Sequence, residues 1–273
     1  MLEYRIIALD LDGTLLTSNR TITPNSLQLL LALQKQGCKV VISTGRPVFG
    51  ASRIADQLHL GDYGGYVMAY NGGVVMNWQT KEVVYANYLE PEAIATAYHY
   101  ATQAGFAIIC YHDQYLVSES ELNPLMEQSL KRNGLTFRKV DSFLEEVTYP
   151  ISKCMIIGDP TPLAELERRI LATHPADFTV YRSESFFLEV VSPGINKGQG
   201  LSVVLDHLSL TPDQLIAFGD CYNDIPMLRL AGLGVAMGNA DQEVKDAADL
   251  VAPTNDKEGV AKILKMQFNV KTI

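Results

Sequence analysis

The chain has 273 residues, of which 47% are hydrophobic and 19% charged, and its formal net charge is −9 at pH 7. This length and balance are typical of a soluble globular enzyme with one large domain or two smaller ones. The acidic net charge argues against a protein that binds nucleic acid or an anionic membrane over a broad surface, so an anionic ligand would need a local positive site.

The cysteine pattern and the N-terminal region both favour a cytoplasmic protein. Four cysteines are spread along the chain: Cys38, Cys110, Cys154 and Cys221. They form neither a Cys-x-x-Cys pair nor a zinc-like spacing, so we expect four buried free thiols in a reducing compartment. No run reaches the roughly 18 apolar residues of a membrane span, and Glu3, Asp10 and Asp12 stand where a signal peptide would be apolar.

The first strong signal is a short apolar strand that ends on two carboxylates. Ile6–Leu9 predicts a strand buried on both faces, and Asp10-Leu-Asp12-Gly-Thr follows it directly. In an extended backbone, Asp10 and Asp12 would project to one side, where their charges repel unless they share a proton or bind a cation. Magnesium fits such a pair, because Mg²⁺ takes a few carboxylate oxygens and keeps positions for water and a substrate phosphate.

Two other interpretations of this segment are weaker. A plain strand-end turn with solvated aspartates would need no ligand. A calcium loop of the EF-hand kind is excluded, because Leu15 and Thr21 stand where that loop requires Gly and Glu.

The next elements alternate between helix and strand. Thr23-Pro24 starts a helix that ends at Gly37. A second buried strand, Lys39–Ser43, is followed by Thr44-Gly45-Arg46-Pro47, and Pro47 opens a helix over residues 48–58. This β-α-β-α pattern predicts a parallel sheet with right-handed crossovers.

From about residue 85 the pattern changes from strict alternation to a mixture of hairpins and helices. A hairpin around Asn71-Gly72-Gly73 closes the first block. Predicted helices then cover residues 91–104, 124–132 and 162–172, and predicted strands cover residues 106–111, 115–118, 153–157, 179–182 and 186–191. We therefore expect an inserted α+β domain of about a hundred residues, which is a common domain size.

Ser192-Pro193-Gly194 marks the return to strand-helix alternation. Lys197 opens a helix to residue 208, and residues 215–218 form a third buried strand that ends on Gly219-Asp220. Short strands at residues 233–237 and 250–251, and helices at residues 225–231, 242–248 and 259–266, complete the chain.

Three apolar strands thus end on polar residues that could form one site. The polar groups are Asp10 with Asp12, Thr44 with Gly45, and Asp220 with Asn223 and Asp224. In an open parallel sheet the ligand lies beyond the carboxyl ends of the strands, so these residues can meet although they are up to about two hundred positions apart. Lys197 is the candidate cation that would join them.

Each of these pieces also has a simpler interpretation. Residues 220–224 alone could be a helix N-cap with an acidic first turn, and Thr44-Gly45-Arg46 could be a plain strand-to-helix turn. Lys197 alone is most often a solvated surface lysine. Their shared position at strand ends favours one common site. The charges of the groups also complement one another there, since clustered carboxylates need a metal ion and a bound anion needs the lysine.

These motifs resemble those of the haloacid dehalogenase (HAD) superfamily of phosphohydrolases, and within it the Cof-type group with a large α/β cap. The resemblance runs from end to end and rests on Asp10-Leu-Asp12-Gly-Thr-Leu-Leu, Ser43-Thr44-Gly45-Arg46-Pro47, Asn71-Gly72, Lys197-Gly198, Gly219-Asp220-x-x-Asn223-Asp224-x-x-Met227, Val235-Ala-Met-Gly-Asn239-Ala240 and Thr254-Asn-Asp256. It implies an α/β fold: a Rossmann-like parallel-sheet core of residues 1–84 and 190–273, HAD-like, with an inserted α+β cap domain of residues 85–189. In the family the cap closes over the site and contributes the leaving-group pocket.

The resemblance also implies a role for each site residue. Asp10 would attack the substrate phosphorus and become an aspartyl phosphate, while Asp12 would protonate the leaving oxygen and then activate water. Mg²⁺ would be held by Asp10, by Asp220, and by either the carbonyl or the carboxylate of Asp12. Asp224 would orient Lys197 or the metal-bound waters. The phosphate-binding groups would be the Leu11 amide, Thr44, the Gly45 amide, Lys197 and Asn223.

The implied activity is that of a Mg²⁺-dependent phosphatase of small phosphorylated metabolites, such as sugar phosphates or a flavin mononucleotide. One alternative is a phosphotransferase or phosphomutase that passes the phosphoryl group to a sugar hydroxyl. Another is a non-catalytic phosphometabolite-binding protein, although a binder has no need of a nucleophile, Asp10, paired with an acid, Asp12. Four cap residues have suitable chemistry for substrate selection, with no one of them favoured: Tyr111, His112, Tyr115 and Arg182.

Overall fold

In the computed structural model, which describes residues 4–173 and 177–269, the chain forms two units. Residues 1–85 and 196–273 make up the first, called here the core unit, and residues 86–195 make up the second unit. The division of the chain into a catalytic core and a cap at residues 84/85 and 189/190 stays a prediction.

The elements follow one another in chain order. The first segment holds β1 (Ile6–Leu9), α1 (Pro24–Lys35), β2 (Lys39–Ser43), α2 (Val48–Gln57), α3 (Leu60–Tyr63), β3 (Tyr66–Ala69), β4 (Val74–Asn77) and β5 (Val83–Ala86). The inserted segment holds α4 (Pro91–Gln103), β6 (Ala107–His112), β7 (Tyr115–Ser118), α5 (Pro124–Asn133), β8 (Thr136–Lys139), α6 (Phe143–Glu146), β9 (Lys153–Ile157), α7 (Pro160–Thr173), β10 (Thr179–Glu184) and β11 (Phe187–Val191). The last segment holds α8 (Lys197–Leu208), β12 (Leu215–Gly219), α9 (Ile225–Leu230), β13 (Leu233–Ala236), α10 (Gln242–Asp246), β14 (Leu250–Val251) and α11 (Gly259–Gln267).

The core unit is built on an eight-stranded sheet of order β14-β13-β12-β1-β2-β3-β4-β5. Strands β14 to β3 pair in parallel, and β4 joins β3 as an antiparallel hairpin. Every residue of β1 is buried, as expected for a strand covered on both faces. The predicted α/β fold with a parallel core sheet is confirmed.

The register of the central strands brings three chain segments to one edge of the sheet. Leu9, the last residue of β1, lies opposite Ile42 of β2 and opposite Phe218 of β12. The residues that follow these three positions therefore leave the sheet side by side. This register is what allows residues 10, 44 and 220 to become neighbours.

Helices α1 and α8 begin where the sequence predicts them, and α8 carries a site residue. Thr23 caps α1 by accepting a hydrogen bond from the Ser26 amide at 3.3 Å, and Pro24 occupies the first turn. Asn196 caps α8 by accepting a hydrogen bond from the Gln199 amide at 2.9 Å. Lys197 is consequently fixed as the first helical residue of α8.

The second unit has a six-stranded sheet of order β10-β11-β9-β6-β7-β8. Strands β6 and β7 form one of the hairpins that the sequence predicts in this block, and β9 pairs antiparallel with both β6 and β11. Strand β8 was not predicted, and it runs parallel to β7. The short elements α3, α6 and β5 were also not predicted.

Cys221 differs from the predicted state of the cysteines. Cys38, Cys110 and Cys154 are buried, whereas Cys221 is exposed, so the expectation of four buried thiols is wrong at this position. Cys221 comes two residues after the end of β12, in the turn that leaves the sheet, and this places its side chain outside the core. Within residues 4–173 and 177–269, no helix combines the length and the apolar character that crossing a membrane requires.

Candidate active site

Three carboxylates and one lysine meet at the carboxyl ends of β1 and β12. Asp10, Asp220 and Asp224 each offer a carboxylate oxygen, and these oxygens lie within 4.8 Å of one another. Lys197 is completely buried, and its Nζ donates hydrogen bonds to Asp10 Oδ1 at 2.6 Å and Asp224 Oδ1 at 2.5 Å. The structure thus brings together four residues that the sequence separates by up to 214 positions.

The pKa values at this cluster are shifted first by burial and then by the neighbouring charges. Burial raises the pKa of Asp10 well above its ordinary value; Lys197 opposes this rise, while Asp224 and Asp220 add to it. Burial also raises the pKa of Asp220 to about 6, although the hydrogen bond from Thr14 acts in the opposite direction and lowers this pKa. Burial alone would lower the pKa of Lys197, but the carboxylates of Asp10 and Asp224 raise it above its ordinary value.

The donor set fits a hard divalent cation such as Mg²⁺. Three ionised carboxylates and one ammonium group leave a net charge of about −2, which a divalent cation would offset. Asp10 and Asp220 are the residues that would hold it. Asp224 has other bonds, because its Oδ2 accepts hydrogen bonds from the Asp220 and Cys221 amides at 2.9 and 3.0 Å, and its Oδ1 accepts from Lys197. Asp224 therefore fixes both the lysine and the turn that carries Asp220.

Gly13 and Thr14 hold Asp220 in place from the loop after β1. Thr14 Oγ1 donates a hydrogen bond to Asp220 Oδ1 at 2.8 Å. Gly13 has a φ of +85°, and a Cβ added there would lie 2.2 Å from Asp220 Oδ2. Only glycine therefore permits both the backbone conformation and the close approach of the Asp220 carboxylate.

We expect Gly13→Ala to weaken Mg²⁺ binding by at least about tenfold, because the added methyl group displaces Asp220. Gly37→Ala is the matched control: Gly37 also has a positive φ, +101°, but a Cβ there meets nothing within 4 Å. Both variants carry backbone strain, and only the first disturbs Asp220. Isothermal titration calorimetry with MgCl₂ measures the difference, and equal affinities in the two variants would contradict this role for Gly13.

Asp12 does not join the other carboxylates. Its two oxygens accept hydrogen bonds from Arg46, at 2.8 Å from Nε and 2.6 Å from Nη2, in a bidentate ion pair. Asp10 and Asp12 would project together only from an extended backbone, and the backbone instead turns after Asp10. The Leu15 amide donates to Asp10 O at 3.2 Å across this turn. Two groups of Asp12 were considered as metal ligands, the carboxylate and the main-chain carbonyl. Because the carboxylate is already bound to Arg46, the carbonyl is the favoured ligand.

Apart from Lys197 on α8, the proposed phosphate-binding residues lie in the three segments of the core unit that follow β1, β2 and β12. Thr44 is buried at the end of β2, with its amide donating to Met68 O at 2.9 Å and its Oγ1 accepting from the Arg46 amide at 3.2 Å. Leu11 is buried in the turn after β1, where its carbonyl accepts from the Leu16 amide at 2.9 Å. Asn223 and Gly45 both lie against the side chain of Asn71.

Several residues with direct roles in this geometry were not assigned one from the sequence. Thr14 and Asn239 both bind Asp220: Asn239 Nδ2 donates to Asp220 Oδ2 at 3.3 Å and to Gly13 O at 2.9 Å. Arg46 binds Asp12, and Asn71 binds Asn223. All four lie inside the motifs quoted above, which is the only signal that the sequence offers for them.

The four residues considered for substrate selection all belong to the second unit: Tyr111, His112, Tyr115 and Arg182. His112 stacks on Tyr149 with ring centroids 3.6 Å apart, and Arg182 Nε donates to Glu167 at 2.8 Å. Tyr111 is buried and its hydroxyl lies 2.8 Å from Ser129 Oγ. These contacts give each of those three residues a packing role within its own unit.

Comparison with known proteins agrees with this geometry. Residues 7–264 match the family described as haloacid dehalogenase-like hydrolase. The phosphatase YwpJ of Bacillus subtilis is 31% identical over 290 residues, which cover 96% of this chain and 99% of YwpJ. The B. subtilis 5-amino-6-(5-phospho-D-ribitylamino)uracil phosphatase YitU is 28% identical over 278 residues, covering 97% of this chain and 98% of YitU.

A solved structure shows the same fold. The crystal structure of a haloacid dehalogenase-like hydrolase from Bacteroides thetaiotaomicron has a TM-score of 0.94 and 38% sequence identity, and the match covers 97% of this chain and 100% of that one. Because both the family match and this likeness extend over nearly the whole chain, the protein belongs to the haloacid dehalogenase-like hydrolase family.

Proposed function

We propose that this hydrolase is a Mg²⁺-dependent phosphatase that removes phosphate from small phosphorylated metabolites through an aspartyl-phosphate intermediate on Asp10. One observation carries the proposal: Asp10 lies at a strand end within 4.8 Å of Asp220 while Lys197 bridges it to Asp224. This is an arrangement that can bind a phosphate group and present a carboxylate to its phosphorus.

Asp10 would act as the nucleophile. Its carboxylate attacks phosphorus, the bond from phosphorus to the leaving oxygen breaks, and the phosphoryl group becomes attached to the Asp10 oxygen. Lys197 binds Asp10 Oδ1 at 2.6 Å, which supports a role in fixing the orientation of the carboxylate. The lysine also supplies positive charge next to the incoming phosphate.

Asp12 would move the protons. In the first step it gives a proton to the departing oxygen, and in the second it takes one from the water that hydrolyses the acyl phosphate. The ion pair with Arg46 supports the second of these steps, because the guanidinium stabilises the ionised form of Asp12 that accepts the proton from water. The first step requires protonated Asp12, so this ion pair has to open before Asp12 can donate. The side chain of Asp12 is 46% exposed, so it is accessible to water and to a leaving group.

Mg²⁺, when bound, offsets the charge between the carboxylates and the phosphate. Asp10, Asp220 and the main-chain carbonyl of Asp12 would hold it. Around the phosphoryl oxygens, we assign hydrogen-bond donation to Thr44, Asn223 and the amides of Leu11 and Gly45, together with Lys197.

Two relatives support the proposed substrate class. YitU is named for a phosphorylated ribitylaminouracil and YwpJ simply for phosphatase activity. We therefore propose a small phosphomonoester, such as a sugar phosphate, as the substrate.

The direct test is a screen of phosphorylated metabolites and one aryl phosphate, with and without Mg²⁺. We expect release of inorganic phosphate with Mg²⁺, loss of release after chelation, and recovery when Mg²⁺ is restored. Without Mg²⁺ the carboxylates repel one another and also repel the substrate phosphate. Transfer to a sugar hydroxyl with little free phosphate would indicate a phosphotransferase or mutase instead. Saturable binding without turnover of any compound would indicate a binding protein.

A further inference from the structure

The turn between β3 and β4 holds three consecutive residues in the left-handed region. Tyr70, Asn71 and Gly72 have φ values of 52°, 56° and 100°. Left-handed conformations are uncommon for residues other than glycine, and each one costs free energy unless the surrounding structure enforces it. Such strain concentrates at functional sites, so what enforces this turn needs an explanation.

The backbone of the turn is attached to two loops of the candidate site. The Tyr70 amide donates to Arg46 O at 3.1 Å, and the Asn71 amide donates to Thr44 O at 3.0 Å. A Cβ on Gly72 would lie 2.4 Å from Asn196 O, immediately before Lys197. The turn therefore contacts both the loop after β2 and the start of α8.

The side chain of Asn71 extends these contacts to two of the proposed phosphate-binding groups. Its Oδ1 accepts a hydrogen bond from Asn223 Nδ2 at 2.9 Å. The same oxygen lies 3.1 Å from the position that a Cβ on Gly45 would occupy. One carboxamide thus limits the conformation of Asn223 and lies directly against the backbone at Gly45.

We propose that Asn71 is a positioning residue for the phosphate site. Its side chain sets the orientation of the Asn223 carboxamide and packs on Gly45, so that donors from the loops after β2 and β12 face the same phosphoryl group. The left-handed backbone is required because it directs this side chain toward Asn223. This inference rests on the proposed function and adds to it a residue that need not touch the substrate.

The informative substitution is Asn71→Gly, because glycine adopts the left-handed conformation without strain and removes only the carboxamide. We expect inorganic phosphate, measured as a competitive inhibitor in the presence of Mg²⁺, to bind more weakly by a factor on the order of ten to one hundred. Mg²⁺ binding measured by calorimetry should stay within about twofold of the wild type, because Asp10 and Asp220 keep their hydrogen bonds. Unchanged phosphate inhibition would overturn the proposal.

Ser209→Gly is the matched control. Ser209 is also left-handed, with a φ of 54°, and it lies at the opposite end of α8 from Lys197. This substitution removes a side chain from the same backbone conformation, so it should leave phosphate inhibition unchanged. An equal loss in both variants would assign the effect to backbone loosening and contradict the proposal.

A double-mutant cycle with Asn223→Ala tests the route by which Asn71 acts. If Asn71 acts mainly through Asn223, Asn71→Gly should weaken phosphate binding by less than about threefold in the Asn223→Ala background. Fully additive losses would contradict that route. The wild-type measurement separates this inference from the proposed function. If the wild type turns over substrate and is inhibited by phosphate, and Asn71→Gly is inhibited equally well, only the inference is refuted.

Discussion

Asp10→Asn is expected to lower kcat by at least about a thousandfold with every phosphate ester, because the amide cannot serve as the nucleophile. The fold should survive the change. Burial and the neighbouring carboxylates raise the pKa of Asp10, so removing its charge relieves repulsion, and Lys197 keeps Asp224 as a partner. The free energy of unfolding without Mg²⁺ should therefore equal or exceed that of the wild type. Steady-state kinetics and urea denaturation measure the two effects.

Asp62→Asn provides the control for this substitution. Asp62 lies at the surface of the core unit, with 70% of its side chain exposed. Within the part of the chain that the structure describes, its carboxylate pairs with His59 alone. Asp62→Asn should leave kcat unchanged. Normal turnover in Asp10→Asn would remove the nucleophile from the proposed mechanism.

Lys197→Met is expected to have the largest effect on stability. The substitution leaves the carboxylates of Asp10 and Asp224 buried without their cation, and breaking a buried ion pair in this way typically costs about 3–5 kcal/mol. The loss should be greatest without Mg²⁺, because a bound divalent cation offsets part of the same charge. Turnover should also be lost, since Asp10 is no longer held and the phosphate meets less positive charge. Chemical denaturation with and without Mg²⁺, followed by activity assays, measures these effects.

Lys153→Met separates the general effect of removing a buried lysine from the effect at the site. Lys153 is buried in the second unit and its Nζ lies 3.2 Å from Glu189 Oε2. Its replacement should also destabilise the protein, but the destabilisation should not depend on Mg²⁺. If Mg²⁺ changed the stability of Lys197→Met no more than that of Lys153→Met, this would contradict the idea that Lys197 and the metal ion offset the same carboxylate charge.

The parts of the fold that could be predicted from the sequence are those where burial is uniform. Strand β1 is buried on both faces, so its sequence is a continuous apolar run bounded by charged residues. Strand β8 could not be found in this way, because three of its four residues, Thr136, Arg138 and Lys139, are exposed at the edge of the second sheet. A strand that is exposed at most of its positions gives no alternating apolar signal.

The candidate site shows the same limit at the level of single side chains. The meeting of Asp10 with Asp220 could be predicted, because both follow buried strands and parallel strands end at one edge. The pairing of Asp12 with Arg46 could not, because it depends on a turn after Asp10 and on a partner 34 residues away. The hydrogen bond between Asn71 and Asn223 spans 152 residues and depends on a left-handed backbone that the residue types alone do not reveal.

In the proposed mechanism Asp10 carries the phosphoryl group during turnover. The most direct measurement mixes enzyme and substrate with Mg²⁺, quenches rapidly in acid, reduces any acyl phosphate with borohydride, and locates the reduced residue by mass spectrometry of the peptide that contains residues 5–20. We expect conversion of Asp10 to homoserine, formed before phosphate release and absent in Asp10→Asn. Modification at any other residue, or turnover that proceeds with Asp10 unmodified at every quench time, would contradict this mechanism.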